Sequence, residues 1–431
     1  MEPDLAADYD LIGIDPRGVG SSIPTFDCAP SAILRELYNL DGRDVSTANQ
    51  RRFAELDRTY AEACAADPLS RYLTTDHIAR DLDLIRAVLG EQKISYVGYS
   101  AGTWLGARYA GLFPRRVDRF LLDGNLDFTA PSYESMQRQP MAFQRSFEQY
   151  LLPWIAAHHD VYRLGTTAAQ VKKVYEARRA ALAAMPLTVG ASGLLTASGY
   201  DIGIAGALYR TGLYPGIATA LSDLEQGSTG TDSVLKYFGG TSSALGNDVY
   251  WAVSCQDDRA PAYREILEDT DRLRTAAPLI GANWNVFPCS FWPGRPQGSR
   301  VDGGDLPEVP MINNEADPAT PLANAQAARK RTPGARLVVV KDQPDHTIYG
   351  SGDGCVERIA NTWLIDGYLP AKDVTCPGLP LPEPTAKIAA KIAAKIAGKA
   401  AAKAAGGAEA RVPARVWIED FLARRGKPAI R

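Results

Sequence analysis

Gly98-Tyr99-Ser100-Ala101-Gly102 sets a serine between two glycines in a G-x-S-x-G pattern. The apolar run from Ile94 leads directly into it, and a helical pattern from about Ala101 to Leu112 leads directly out. The serine therefore falls on a strand-to-helix elbow that exposes its hydroxyl. Side chains at 98 and 102 would collide as strand and helix fold back on each other. A serine hydroxyl is a weak nucleophile at neutral pH; it needs a base within hydrogen-bond reach and a carboxylate to orient that base. Of the four histidines, His77 lies in the first turn of a helix before the serine, and His158 and His159 end a later helix. Only His346, in Asp342-Gln343-Pro344-Asp345-His346, directly follows a strand pattern, and Asp317 holds the same position one strand earlier. Taken singly, Asp317 reads equally as a helix cap and His346 as a loop residue. Taken together, three residues past three strand ends in the order serine, aspartate, histidine point to acyl transfer.

Such residues need a sheet to hold them. Strands are expected at Tyr9–Asp15, Ile94–Ser100, Val117–Gly124, Val309–Asn314 and Ala335–Val340. Helices are expected from about Asn49 to Ala66, from Thr75 as cap to the stop at Gly90, from Pro321 to Arg331 and from Val356 to Asp366. In the second of these, Ile78, Leu82, Ile85 and Leu89 recur along one face. The alternation predicts an α/β fold with a mostly parallel sheet flanked by helices. Between residues 130 and 306 the pattern turns helical, as in Met141–Ala157 and Ala168–Met185, without strand-helix repeats. The predicted layout is a first core part at residues 1–129, a helical cap at 130–306, a second core part at 307–382 and a Lys/Ala-rich tail at 383–431.

The composition, 431 residues with 45% hydrophobic, 23% charged and a net charge of −3, excludes a disordered, collagen-like or coiled-coil chain and gives no reason to expect nucleic acid. No apolar run approaches the ~18 residues of a membrane span. Met1 is followed by Glu2-Pro3-Asp4 rather than by the basic start of a signal peptide. Cys28, Cys64, Cys255, Cys289, Cys355 and Cys376 show no C-x-x-C spacing, which argues against a zinc cluster. They fall into neighbouring couples whose local closure costs less chain entropy, giving Cys28–Cys64, Cys255–Cys289 and Cys355–Cys376 and an oxidising compartment. Six reduced, buried thiols in a cytosolic protein are the alternative. The tail repeats lysine every four residues from Lys387 to Lys403; a solvated segment is expected there, with contact to an anionic surface as the alternative. No metal or organic cofactor is expected.

Asp15-Pro16-Arg17-Gly18-Val19-Gly20-Ser21, Thr74-Thr75-Asp76, Asp81 to Arg86, Gly98 to Gly102, Tyr109 to Pro114, Leu122-Asp123-Gly124 and Asp317-Pro318-Ala319-Thr320-Pro321 together resemble the secreted bacterial tripeptidyl aminopeptidases, α/β-hydrolases related to proline iminopeptidases. The resemblance covers residues 8–382 and thins in the cap. It implies an exopeptidase that acts on short peptides with free amino termini: Ser100 as nucleophile, His346 as base and then acid, Asp317 as the group that orients the imidazole. It also implies an extracellular protein, which agrees with three disulfides.

In this fold the oxyanion hole takes the N–H of the residue after the nucleophile, here Ala101, and a second from a glycine-rich loop before the Asp15 strand. Only eight residues precede Tyr9, so the expectation is an N-terminally truncated member lacking the first strands and that loop, at a cost of about 10²–10³ in turnover for one missing donor. A peptide ammonium needs acidic partners; Glu315, Asp257 and Asp258 are the candidates, each equally readable as a surface or capping carboxylate. An esterase or amidase on the same residues, and a catalytically dead hydrolase, are the rival readings.

Overall fold

The computed structural model describes residues 3–191, 193–239, 248–384 and 387. The chain divides into two compact units, Met1–Pro382 and Glu383–Arg431. Apart from Glu383, Pro384 and Lys387, the Lys/Ala-rich tail lies outside the described residues.

Seven strands form among the described residues: β1 (Ile94–Tyr99), β2 (Val117–Asp123), β3 (Leu187–Val189), β4 (Gly193–Leu195), β5 (Val309–Asn314), β6 (Ala335–Lys341) and β7 (Val374–Pro377). Five make one parallel sheet in the order β1-β2-β5-β6-β7, and β3 and β4 form a separate antiparallel pair. Successive side chains of a strand point to opposite faces, and here both faces are covered. Leu122, Met311 and Leu337 pack with Trp104, Ala107 and Ala325 of the helices Ala101–Leu112 and Leu322–Arg331. Their neighbours Leu121, Ile312 and Val338 pack on the other face with Val356, Ala360 and Trp363. The inner stretches Phe120-Leu121-Leu122, Met311-Ile312 and Leu337-Val338-Val339-Val340 accordingly read as continuous apolar runs.

Between β2 and β5 the chain leaves the sheet. Helices Gln139–Ser146, Leu152–Ala157, Ala168–Ala184, Ala197–Ala207 and Tyr214–Glu225 bury their apolar faces together around Phe147, Tyr175, Tyr200 and Tyr214. Later in this excursion Val249, Trp251, Cys255, Ile266, Phe287 and Cys289 pack instead with Phe53, Leu56 and Tyr60 of the helix Thr47–Ala66. Disulfides join Cys28 to Cys64, Cys255 to Cys289 and Cys355 to Cys376, the pairs expected from their spacing.

Two local expectations are corrected. Residues 9–15 form no strand. Tyr9 packs beside Trp363 and Leu364 and donates its hydroxyl to Leu364 O, while Leu11 and Ile12 stay more than half exposed. A strand exists only where a neighbour takes its backbone hydrogen bonds, and no strand among the described residues pairs with this run. The cap of helix Thr75–Val88 is Thr74, whose Oγ accepts the His77 N–H at 3.2 Å, one residue before the expected Thr75.

Candidate active site

β1 ends at Tyr99 and the helix Ala101–Leu112 begins two residues later, so one residue must reverse the chain. That residue is Ser100, with φ 54° and ψ −120°, a backbone conformation rare for a side-chain-bearing residue and characteristic of strained functional turns. Its N–H donates to Asp123 O at 2.9 Å, and its carbonyl accepts from Thr103 N at 2.8 Å and Thr103 Oγ1 at 2.7 Å. Gly98 is sterically required: a Cβ there would stand 2.6 Å from Gly102 O. At Gly102 a Cβ would only approach the Tyr96 hydroxyl at 3.1 Å, a weaker demand than the sequence suggested. Ala101 is the first residue of its helix, where an N–H has no intrahelical acceptor and faces outward with the positive end of the dipole.

Asp317 follows β5 and His346 follows β6, adjacent parallel strands whose C-terminal ends lie side by side. Their side chains meet: His346 Nδ1 is 3.0 Å from Asp317 Oδ2 and 3.1 Å from Oδ1. Both residues are buried. Asp317 also accepts the N–H groups of Ala319 and Thr320 at 2.8 Å and the Thr320 hydroxyl at 2.8 Å. A carboxylate against Nδ1 places the ring proton there and leaves Nε2 as acceptor. Nε2 is buried and has no hydrogen-bond partner among the described residues.

The loop carrying the histidine is fixed from several sides. Asn314 Nδ2 donates to Asp345 O at 2.7 Å, and His346 N donates to Tyr209 O at 2.8 Å. Asp345 accepts from Thr211, and Arg210 Nη2 donates to Thr347 Oγ1 at 2.9 Å. Thr347 itself has φ 62°, unusual for a β-branched residue and held by these contacts. From the sheet side, Asp123 Oδ2 accepts Ile348 N and Tyr349 N at 2.7 Å each. Burial pushes the Asp123 carboxyl up to about 7, against the pull of those two N–H groups. Gly124 passes so close that a Cβ would come 2.8 Å from Thr347 Cγ2 and 3.2 Å from His346 Cε1.

Asn314, Thr320, Asp123 and Tyr209 were not singled out from sequence as parts of this site. A signal existed for two of them: Asn314 and Asp123 are polar residues at the buried ends of their strands, Asp123 after Phe120-Leu121-Leu122 and Asn314 after Met311-Ile312-Asn313.

The three acidic candidates lie apart from the Asp317–His346 hydrogen bonds and already hold partners. Glu315 pairs with Lys341 at 2.6 Å, which draws its carboxyl below the usual range. Asp257 accepts Thr75 N at 2.8 Å and the Thr75 hydroxyl, and burial raises its carboxyl to about 6. Asp258 accepts Ser132 N at 2.9 Å. The remaining histidines are engaged locally, His77 with Thr74 and His158 with Trp154 O.

A cavity of about 200 Å³ opens among Gln139, Ile202, Trp251, Leu279, Trp284 and Phe287. Its wall touches the loop that follows Asp317, because Gln139 Nε2 donates to Ala319 O at 2.7 Å. No helix among the described residues is long and apolar enough to cross a membrane.

The chain is similar to known proteins. A family model described as "TAP-like protein" matches residues 277–376. Tripeptidyl aminopeptidase of Streptomyces lividans is 34% identical over 392 residues, covering 87% of this chain and 72% of that protein. Serine protease Hip1 of Mycobacterium tuberculosis is 29% identical over 391 residues, 85% of this chain and 74% of that protein. Carboxylesterase B of the same organism is 29% identical over 395 residues, 87% of this chain and 75% of that protein. The elbow serine, the buried Asp-His pair past the next strands and this extent of similarity place the chain in the tripeptidyl aminopeptidase family of α/β-hydrolases.

Proposed function

We propose that the protein is a serine exopeptidase that removes short peptides from free amino termini through an acyl-enzyme on Ser100. The observations that carry this reading are the buried His346–Asp317 pair, with Nε2 unpartnered among the described residues, and a strained elbow serine tied to the histidine's loop through Asp123. As Ser100 Oγ attacks the scissile carbonyl, its proton passes to His346 Nε2, and Asp317 stabilises the resulting imidazolium. The Ala101 N–H donates to the oxyanion that forms. Collapse breaks the C–N bond, and the leaving amine takes the proton from His346. Water then attacks the acyl-enzyme while His346 accepts its proton; the acyl C–Oγ bond breaks, the peptide leaves as its carboxylic acid, and His346 returns the proton to Ser100 Oγ.

The chain between β2 and β5, residues 130–306 in the layout above, serves as the cap. An apolar side chain of the peptide would occupy the aromatic-walled cavity beside the acid's loop. Glu315, Asp257 and Asp258 remain the candidates for the peptide ammonium, with the partly exposed Glu315 and Asp258 favoured over the buried Asp257. The three disulfides support work in an oxidising, extracellular compartment.

The similarity to a protein named carboxylesterase B favours a second reading, an esterase or amidase on the same residues. Hydrolysis of a tripeptide anilide with a free amine, compared with its N-acetylated twin, separates the two. An exopeptidase loses the blocked substrate, whereas an esterase or amidase treats both alike.

A further inference from the structure

Asp123 grips two loops at once. Its main-chain carbonyl accepts the Ser100 N–H at 2.9 Å, and its Oδ2 accepts the N–H groups of Ile348 and Tyr349, the second and third residues after His346, at 2.7 Å each. The side chain is completely buried, and Oδ1 has no hydrogen-bond partner among the described residues. A purely mechanical clasp needs only an acceptor oxygen, which an asparagine supplies without a buried ionisable group. A carboxyl with one unsatisfied oxygen is therefore a costly choice for stability alone.

We infer that Asp123 is a positioning residue of the hydrolytic reaction, one that locks the serine elbow to the histidine loop and turns a negative charge toward the imidazolium formed on His346. This rests on the reading of Ser100 and His346 given above. The charged and titratable groups around it come from each packed element: Asp317 past β5, His346 past β6 and Tyr99 of β1, with Glu357 and Arg210 around Tyr99. Asp317 opposes the charge on Asp123 and His346 favours it. The carboxyl is raised to about 7 chiefly by burial. Below that pH it carries its proton, for which the unbonded Oδ1 is the open position. A raised carboxyl contributes stability that is fully present below its ordinary value and is lost as pH rises through about 7. Stability and catalysis therefore make opposite demands on Asp123 at pH 8.

Asp123→Asn in the full chain tests this, with kcat and KM on a free-amine tripeptide anilide, fluorophosphonate labelling of Ser100, and Tm at pH 6 and 8. The expected result at pH 8 is a kcat at least about tenfold lower, KM within about twofold of the parent, and a Tm no lower than the parent's. An unchanged kcat overturns the inference, and so does a loss of kcat that accompanies a lower Tm, since that marks a fold support only. If the variant does not accumulate, kcat of the parent from pH 5 to 9 decides: two ionisations on the acidic side support the inference and a single one overturns it. A parent chain that is never labelled at Ser100 fails at the underlying reading, a result distinct from all of these, and takes the inference with it.

Discussion

The backbone carbonyl of Tyr209 accepts the N–H of His346 at 2.8 Å, and the tyrosine ring meets the imidazole edge-on with centroids 5.3 Å apart. A residue of the segment between β2 and β5 thus holds the proposed base. The two residues that follow repeat the arrangement, Arg210 on Thr347 and Thr211 on Asp345. The insertion is bonded directly to the loop of the base at three consecutive positions.

Breaking that grip should cost activity before it costs the fold. Asp345→Ala removes the acceptor for Thr211 N and its hydroxyl and leaves donors unpaired, a destabilisation of about 1–3 kcal/mol. The expected outcome is a kcat lowered about tenfold with a cooperative melt retained, checked by steady-state kinetics and calorimetry on the same preparation.

Gly124 admits no side chain. Its φ is +71°, and a Cβ would press on Thr347 Cγ2 at 2.8 Å and on His346 Cε1 at 3.2 Å. Gly124→Ala is expected to cost about 1–3 kcal/mol of stability in strain and to lower kcat/KM by at least about tenfold by displacing the imidazole. Gly206, which has nothing within 4 Å of its Cβ position, is the control: Gly206→Ala leaves kcat/KM unchanged.

Filling the cavity should alter which peptides are cleaved. Ile202→Trp places a larger ring among Leu279, Trp284 and Phe287. Peptides with a bulky apolar residue are expected to lose about tenfold or more in kcat/KM, while alanine peptides keep theirs, a discrimination of the order that one apolar pocket provides. Competition between the two peptides in one reaction, read by mass spectrometry, checks it.

Asp257 sets a pH dependence of stability. Its carboxyl is raised to about 6 by burial, so its contribution to stability is complete below about 3.8 and lost as pH rises through about 6. Asp257→Asn removes that loss. The Tm of the variant relative to the parent should rise between pH 4 and 7, by the equivalent of up to about 3 kcal/mol. A pH-independent difference would show that burial does not govern this group.

The three residues proposed for the chemistry were legible because they lie past strand ends. Ser100, Asp317 and His346 each follow a short, largely apolar run of strand length bounded by turn residues, and strands formed where those runs lie. Cysteine pairing was legible because each partner lies within 21 to 36 residues of the other. Tyr9–Asp15 misled because a strand depends on a neighbour that its own residues do not specify. β7 (Val374–Pro377) escaped notice because four residues around a cysteine carry no readable alternation. Tyr209 was invisible for another reason: it acts through a main-chain carbonyl, which leaves no trace in residue type.

The central claim is that Ser100 is an activated nucleophile. Its most direct test is a fluorophosphonate reaction with the purified 431-residue chain and with Ser100→Ala, the adduct being located by mass spectrometry. The account expects one adduct, on Ser100, absent from the alanine variant and lost from His346→Ala. A folded chain, with an intact cooperative melt, that never acquires the adduct at Ser100 would contradict it.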